Sequence, residues 1–280
     1  MTVQRIFRTV IFGWFLCIGH LQAAEPLRLE RADGNTIAIQ DYAPIGTCQG
    51  TAILSHGAGG SEYGLAYLAR FLQKQGWHAL VIGHQESGRS ALRAKMPGFD
   101  VKAGLSGLIT DEQAYLSRFA DIQSALAWSQ TRCQSAFTVL IGHSMGAATT
   151  MLAAGAKNHL GLDTHIAFDA YIAMSPQGVG RIFPSHAWSS ITVPVFSLTG
   201  TEDQELDSNW RSRLTAYQSM PSGCKRQGII EGANHMAFGR GGSSAQEALI
   251  TKSILEFLND VKTKNCLNPY QEPGILIESK

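Results

Sequence analysis

The stretch Phe137-Thr-Val-Leu-Ile-Gly-His-Ser-Met-Gly-Ala-Ala-Thr-Thr-Met-Leu-Ala-Ala154 decides how the rest of the chain is read. Its first five residues form a short apolar run suited to a buried strand, and the small and apolar residues after Gly146 suit a helix packed closely on a sheet. Between them lies Gly142-His143-Ser144-Met145-Gly146, so a strand enters a helix through a turn with serine at its apex. The glycines two residues either side leave room where a Cβ would collide with the neighbouring strand or helix. Such a bend lifts Ser144 Oγ clear of the sheet and points the first free N–H of the new helix, that of Met145, at the same place. A nucleophile beside an anion-stabilising donor is the arrangement that serine-based acyl chemistry needs.

Working outward, residues 27–32 and 36–43 alternate in polarity around Asp33-Gly34-Asn35 and predict an antiparallel hairpin. Residues 51–55 read as a strand. Residues 63–75 read as a helix with Leu65, Leu68, Ala69 and Leu72 on one face, closed by Gly76, and residues 77–83 as the next strand. Residues 88–109 read as an irregular excursion, after which Thr110 and Gln113 form a capping box for a helix carrying Tyr115, Phe119, Ile122 and Leu126. Beyond the serine turn come strands at 170–174 and 193–198, separated by a loop at 175–190, then a helix around 209–219 and a last strand at 226–231. The final helix, capped by Ser243 or Ser244, presents Ile250, Ile254, Phe257, Leu258 and Val261 on one face. Strands alternating with helices imply a mostly parallel sheet covered on both faces, whose ligands bind at the carboxyl ends of the strands.

The formal net charge of +1 and the lack of any basic block exclude strong attraction to nucleic acid. Arg5 and Arg8 precede the apolar run of residues 10–19, and Ala23 and Ala24 precede Glu25, the pattern of a secretory signal over residues 1–24. The run is about half the ~20 residues that a spanning helix requires, so the mature chain, residues 25–280, is expected to be an exported single domain without stable membrane insertion. Bulky Trp14, Phe15 and Leu16 before Cys17 argue against a lipoprotein site. Export leaves Cys48, Cys133, Cys224 and Cys266, an even count in a disulfide-permissive setting. Cys48 and Cys133 each precede a strand; if those strands are parallel neighbours, the two thiols share one edge of the sheet. Cys224 precedes the last strand and Cys266 follows the last helix. The expected bridges are therefore 48 with 133 and 224 with 266, and no close C-x-x-C spacing suggests a metal instead.

Ser55-His-Gly-Ala-Gly-Gly-Ser61, Gly142-His-Ser-Met-Gly146 and Gly232-Ala-Asn-His235 occur in the order and spacing of the α/β-hydrolase superfamily. Over residues 27–262 the chain resembles that superfamily, and within it is most similar to dienelactone-hydrolase-like and platelet-activating-factor-acetylhydrolase-like esterases. The resemblance implies an α/β-hydrolase fold and a Ser, acid, His chain order. It makes His235, between the strand at 226–231 and the last helix, the expected base for Ser144. It makes Asp203, just past the strand at 193–198, the expected acid, with Glu202, Glu205 and Asp207 close enough to compete. A tetrahedral intermediate needs fixed N–H donors; Met145 supplies one by position, and Ala58, after His56-Gly57, is expected to supply the other, with Gly59 as the alternative donor or a substrate contact. His143 is too close in sequence to fold back onto Ser144 Oγ, and His56 is expected to shape the loop. The 88–109 and 175–190 segments could cover the site, and Phe183 and Trp188 would then line an apolar pocket.

These expectations favour cleavage of a small-molecule or polymeric carboxylic ester without a metal or organic cofactor. Amide or peptide cleavage, or acyl transfer, would use the same residues. A catalytically silent binding protein on the same fold is the alternative from a different class.

Overall fold

The computed structural model describes residues 25–206, 208–267, 269 and 271–280. The expected signal segment, with Cys17, and the competing acid Asp207 lie outside the described residues. The chain opens with the hairpin β1 (Leu27–Glu30) and β2 (Thr36–Tyr42), followed by β3 (Gly50–Ser55), α1 (Ala66–Lys74) and β4 (Trp77–Gly83). Next come α2 (Arg89–Ala94), α3 (Val101–Ile109), α4 (Glu112–Ser129), β5 (Thr138–His143) and α5 (Met145–Ala153). The second half holds β6 (Ala170–Met174), β7 (Val195–Glu202), α6 (Trp210–Arg213), α7 (Thr215–Ser219), β8 (Lys225–Asn234), α8 (His235–Arg240), α9 (Ser244–Thr263) and β9 (Ile275–Ser279).

The strands form one sheet in the order β1-β2-β4-β3-β5-β6-β7-β8-β9. The six strands from β4 to β8 are parallel, while β1, β2 and β9 run antiparallel to their neighbours at the two edges. This is the mostly parallel, two-sided architecture expected from the alternation of elements, and it is consistent with the α/β-hydrolase fold that the resemblance implies. Period-2 geometry sends successive side chains to opposite faces. On β3, Ala52 and Leu54 join a core with α1 and α9, while Ile53 joins the core of α4 and α5. On β5, Val139 and Ile141 face the first core and Leu140 the second. Because both faces are covered, all six β3 residues are buried.

The sheet order also fixes where a site can form. From β3 the chain crosses to β4 on one side, and β5 then returns to the other, so the connections diverge at β3. That divergence opens a crevice at the carboxyl ends of β3 and β5. Ser55 pairs with Gly142 at those ends, so the His56–Ala58 backbone and Ser144 emerge side by side.

Several boundaries differ from the sequence reading for identifiable reasons. The 88–109 segment is largely helical: α2 and α3 pack together and place Leu92, Leu105 and Ile109 inward, a pattern diluted in sequence by Pro97, Gly98 and Gly104. Asp111, not Thr110, caps α4 by accepting from the Ala114 N–H; Thr110 closes α3 and donates its hydroxyl to Ser106 O. The expected helix over 209–219 is broken into α6 and α7. The last strand is β9, not β8: Ile275 and Ile277 are buried and Leu276 is exposed, an edge strand beyond the final helix. Ser243 caps α9 in a reciprocal box with Gln246, and Ile250, Ile254, Phe257 and Leu258 face the core.

Cys48 is bridged to Cys133 and Cys224 to Cys266. The first pairing follows from β3 and β5 being parallel neighbours. The second ties the end of α9 to the start of β8. Loops of 85 and 42 residues are closed, each worth about 4 kcal/mol in a chain-entropy account. Among the described residues no helix is long and apolar enough to cross a membrane.

Candidate active site

Ser144 has φ 55° and ψ −115°, a backbone conformation that side-chain-bearing residues rarely adopt. The flanking glycines explain how it is tolerated. A Cβ at 142 would land on the Gly146 carbonyl, and one at 146 on the Ser55 carbonyl. The apex is pinned by Ser144 N–H donating to Met174 O at 3.0 Å, while Ser144 O accepts from Ala148 N–H at 3.0 Å and starts α5. The Met145 N–H, at the open end of that helix, has no hydrogen-bond partner among the described residues.

Ala58 and Gly59 follow β3 in the adjacent loop. Gly59 N–H donates to Ser87 O at 2.8 Å, so the alternative donor is occupied. Ala58 N–H has no partner among the described residues, and Ala58 lines the same cavity as Ser144. Arg118 on α4 clamps this loop from beneath, with Nη1 donating to His56 O at 2.8 Å and Nε to Ser87 Oγ at 2.7 Å. Burial pushes Arg118 down to about 10, which still leaves it charged at neutral pH.

β8 delivers His235 at the first turn of α8, where Asn234 caps the helix by accepting from the Met236 and Ala237 N–H groups, both at 3.1 Å. His235 Nδ1–H donates to Asp203 Oδ1 at 2.8 Å, which leaves Nε2 as the acceptor nitrogen. Asp203 is fully buried just past the end of β7, and its Oδ2 accepts from Thr199 Oγ1 at 2.9 Å. Burial alone would raise the Asp203 carboxyl; the His235 hydrogen bond and the Arg213 charge outweigh it and hold the group below the ordinary carboxylate value.

Arg213, at the end of α6, was not singled out by its sequence context. Its Nε lies 3.0 Å from Asp203 Oδ1, its Nη2 lies 3.4 Å from His235 Nδ1, and its Nη1 donates to the Ser175 and Pro176 carbonyls. A guanidinium with four such contacts fixes both the carboxylate and the loop after β6. His143 does not approach Ser144 Oγ; its Nε2–H donates to His235 O at 3.0 Å, and the two rings lie 4.8 Å apart. Burial pushes His143 down to about 3, so it is a neutral prop for the His235 backbone.

Ser144, His235, Ala58 and Gly59 open onto one cavity of about 1070 Å³. Phe183 and Trp188 do not line it. Both are fully buried in the α4/α5 core, packed on each other with ring centroids 5.1 Å apart, because the 175–190 loop turns its aromatic residues inward. The apolar wall comes instead from Leu92, Leu105, Ile109, Ile182 and Leu206. Among the described residues no group of three His, Cys, Asp or Glu side chains is arranged to hold a metal ion.

Residues 46–188, just over half of the chain, match the family model described as serine aminopeptidase, S33. The chain belongs to this family of α/β-hydrolases. The match spans the 55–61 loop and the Ser144 turn of this S33-family hydrolase, while Asp203 and His235 lie beyond it. A search of curated proteins finds no match.

Proposed function

We propose that this S33-family chain is an exported serine hydrolase that cleaves a carboxylic ester through an acyl-enzyme on Ser144. One observation carries the reading: His235, held by buried Asp203, lines the same cavity as Ser144 and Ala58, and the Ala58 and Met145 N–H groups have no hydrogen-bond partner among the described residues. Ser144 Oγ attacks the ester carbonyl as His235 Nε2 takes its proton, and Asp203 stabilises the imidazolium. The Ala58 and Met145 N–H groups receive the charge on the former carbonyl oxygen, at about 3 kcal/mol each. His235 then protonates the leaving alcohol, and water releases the acyl group by the same route. The Ser144 hydroxyl makes no hydrogen bond among the described residues; the contact to His235 closes when substrate fills the cavity, as it does in many enzymes.

The family description favours an aminopeptidase as the second reading, and the charges lining the cavity weigh against it. A free substrate amino group needs a carboxylate partner, yet among the described residues the cavity lining presents Arg89, Arg181 and Arg240, beside Arg213 that is paired with Asp203, against the single carboxylate Glu205. The dienelactone-hydrolase-like and platelet-activating-factor-acetylhydrolase-like resemblance points the same way, to an ester. Two disulfides suit the oxidising compartment that an exported chain reaches.

A fluorophosphonate probe tests the reading directly. Stoichiometric labelling of Ser144, with p-nitrophenyl esters hydrolysed in preference to amino-acid p-nitroanilides, is expected. An unlabelled protein would return the chain to the silent-binding alternative, and faster anilide cleavage would return it to the peptidases. Increasing acyl length in the ester series measures the depth of the Leu92–Leu105–Ile182 wall.

A further inference from the structure

The mouth of the Ser144 cavity combines two features that separately would mean little. Of the ten large apolar side chains exposed among the described residues, four line it and a fifth, Phe99, lies two residues from one of them, Val101. Tyr63, Val101, Val179 and Met236 line the cavity from four different segments, and each is about half exposed. Phe99, at the tip between α2 and α3, is 90% exposed. Its backbone, like that of Gly98 before it, is left-handed, an uncommon conformation for an aromatic residue. A ring of apolar side chains around one opening is what a soluble protein avoids unless the surface has a partner.

Charge indicates which partner. Arg89, Arg181 and Arg240 are exposed on three separate elements around the same opening, and among the described residues Glu205 is the only carboxylate lining it. Asp100 and Lys102, which flank the tip, offset each other. Apolar side chains interleaved with arginines match the edge of a bilayer, where acyl chains lie just beneath phosphates. A protein partner would account for the apolar ring but would give no reason for cations spread around it.

We propose that this mouth docks on an anionic lipid–water interface, with Phe99, Tyr63, Val101, Val179 and Met236 entering the acyl layer and the three arginines meeting lipid phosphates. The cavity behind Ser144 then opens toward the lipid, so an ester dissolved in the bilayer reaches it without crossing water. Docking stands apart from the reaction, because binding requires neither Ser144 nor His235.

Co-sedimentation of Ser144→Ala protein with sucrose-loaded vesicles tests it, since that variant cannot turn over lipid. Retention on equimolar phosphatidylcholine/phosphatidylglycerol vesicles, weak retention on phosphatidylcholine alone, and release by salt are expected. Phe99→Asp should weaken retention by about tenfold, and Arg240→Gln by about fivefold. Leu276→Asp, at an exposed apolar site on β9 that does not line the cavity, should change nothing. Phe99→Asp in the wild-type background should keep full activity on a soluble ester, because Phe99 lies outside the cavity lining. Three outcomes would overturn docking: no retention on either vesicle, equal retention on both, or a dimer in sedimentation equilibrium that Phe99→Asp dissolves. Each of these leaves the ester reading intact, whereas failure of the fluorophosphonate probe leaves docking intact.

Discussion

Two constellations in this fold combine a serine, a histidine and an aspartate, and only one of them faces open space. In the inner one, Ser55 Oγ lies 2.8 Å from His84 Nε2, and His84 Nδ1 lies 2.8 Å from Asp121 Oδ2. In the outer one, His235 Nδ1 lies the same 2.8 Å from Asp203, and Ser144 opens onto the cavity. Each aspartate also meets a guanidinium, Arg31 at Asp121 and Arg213 at Asp203. The difference lies in the serine. Ser55 is an ordinary strand residue, fully buried, and its oxygen also accepts from Arg118 at 3.1 Å. It has no neighbouring N–H aimed at an oxyanion and no path for a substrate. Ser144 sits in a strained turn beside unengaged donors. Contact among three side chains therefore does not mark a candidate catalytic group; access, backbone strain and unengaged N–H groups distinguish the proposed nucleophile from the structural serine. The inner set instead braces the loop that carries Ala58, through Arg118, Ser87 and the His84 N–H bond to His56.

Exchanging one atom in each set breaks the comparison most sharply. Ser144→Ala should lower kcat for ester hydrolysis by about 10⁵- to 10⁶-fold while leaving the urea midpoint unchanged. Ser55→Ala should do the reverse. It leaves His84 Nε2 and Arg118 short of a partner, costs about 1–3 kcal/mol of stability, and keeps Ser144 labelling by a fluorophosphonate. If Ser55→Ala abolished labelling in protein that is still folded, the two roles would be misassigned. The aspartates follow with a smaller effect. Asp203→Asn removes the acceptor that fixes the His235 tautomer and should cost about 10⁴-fold in kcat. Asp121→Asn should retain most activity in whatever protein folds, because its loss falls on Arg31 and His84. Similar kinetic losses from both changes would sink the distinction, and kcat measured beside thermal midpoints decides it.

Much of the outer constellation was legible because its parts are local. The Ser144 turn is declared by glycines at fixed offsets, and the positions of Asp203 and His235 follow from strand ends. The strand pairing behind the Cys48–Cys133 bridge was legible for the same reason. What escaped depends on contacts between distant segments. Arg118, His84 and Asp121 look like surface or loop residues in sequence, and only the packing of α4 across β3 and β4 buries them together. Arg213 sits in a polar stretch with no apolar period to place it. Phe183 and Trp188 were read as pocket lining because aromatic residues in a loop suit either a pocket or a core, and the direction of the loop decides between them. The α2–α3 segment was hidden by Pro97 and two glycines, which signal a loop locally although tertiary packing sustains the helices around them.

Acid should separate the two constellations by the smallest of these effects. Burial pushes His56 and His84 well below the ordinary imidazole value and His143 to about 3, so all three are neutral in the folded protein. In the unfolded chain each takes up a proton as pH falls through about 6.5. The unfolded state then binds more protons, and stability declines as pH drops below that value. Asp121 opposes this: burial raises it to about 6, so the folded state gains a proton between that value and the ordinary carboxylate value, which favours folding on acidification. Asp203, held low, adds its loss only below the ordinary carboxylate range. Near pH 5, three histidines against one aspartate leave about two protons taken up on unfolding, or about 3 kcal/mol per pH unit. Urea midpoints should be level above pH 7.5 and fall steadily from 6.5 to 5, and His84→Gln should make that slope shallower by about one proton. A midpoint that rises toward pH 5 would mean that the inner histidines are charged in the fold, and that the inner set is an ion-pair cluster instead of a neutral brace.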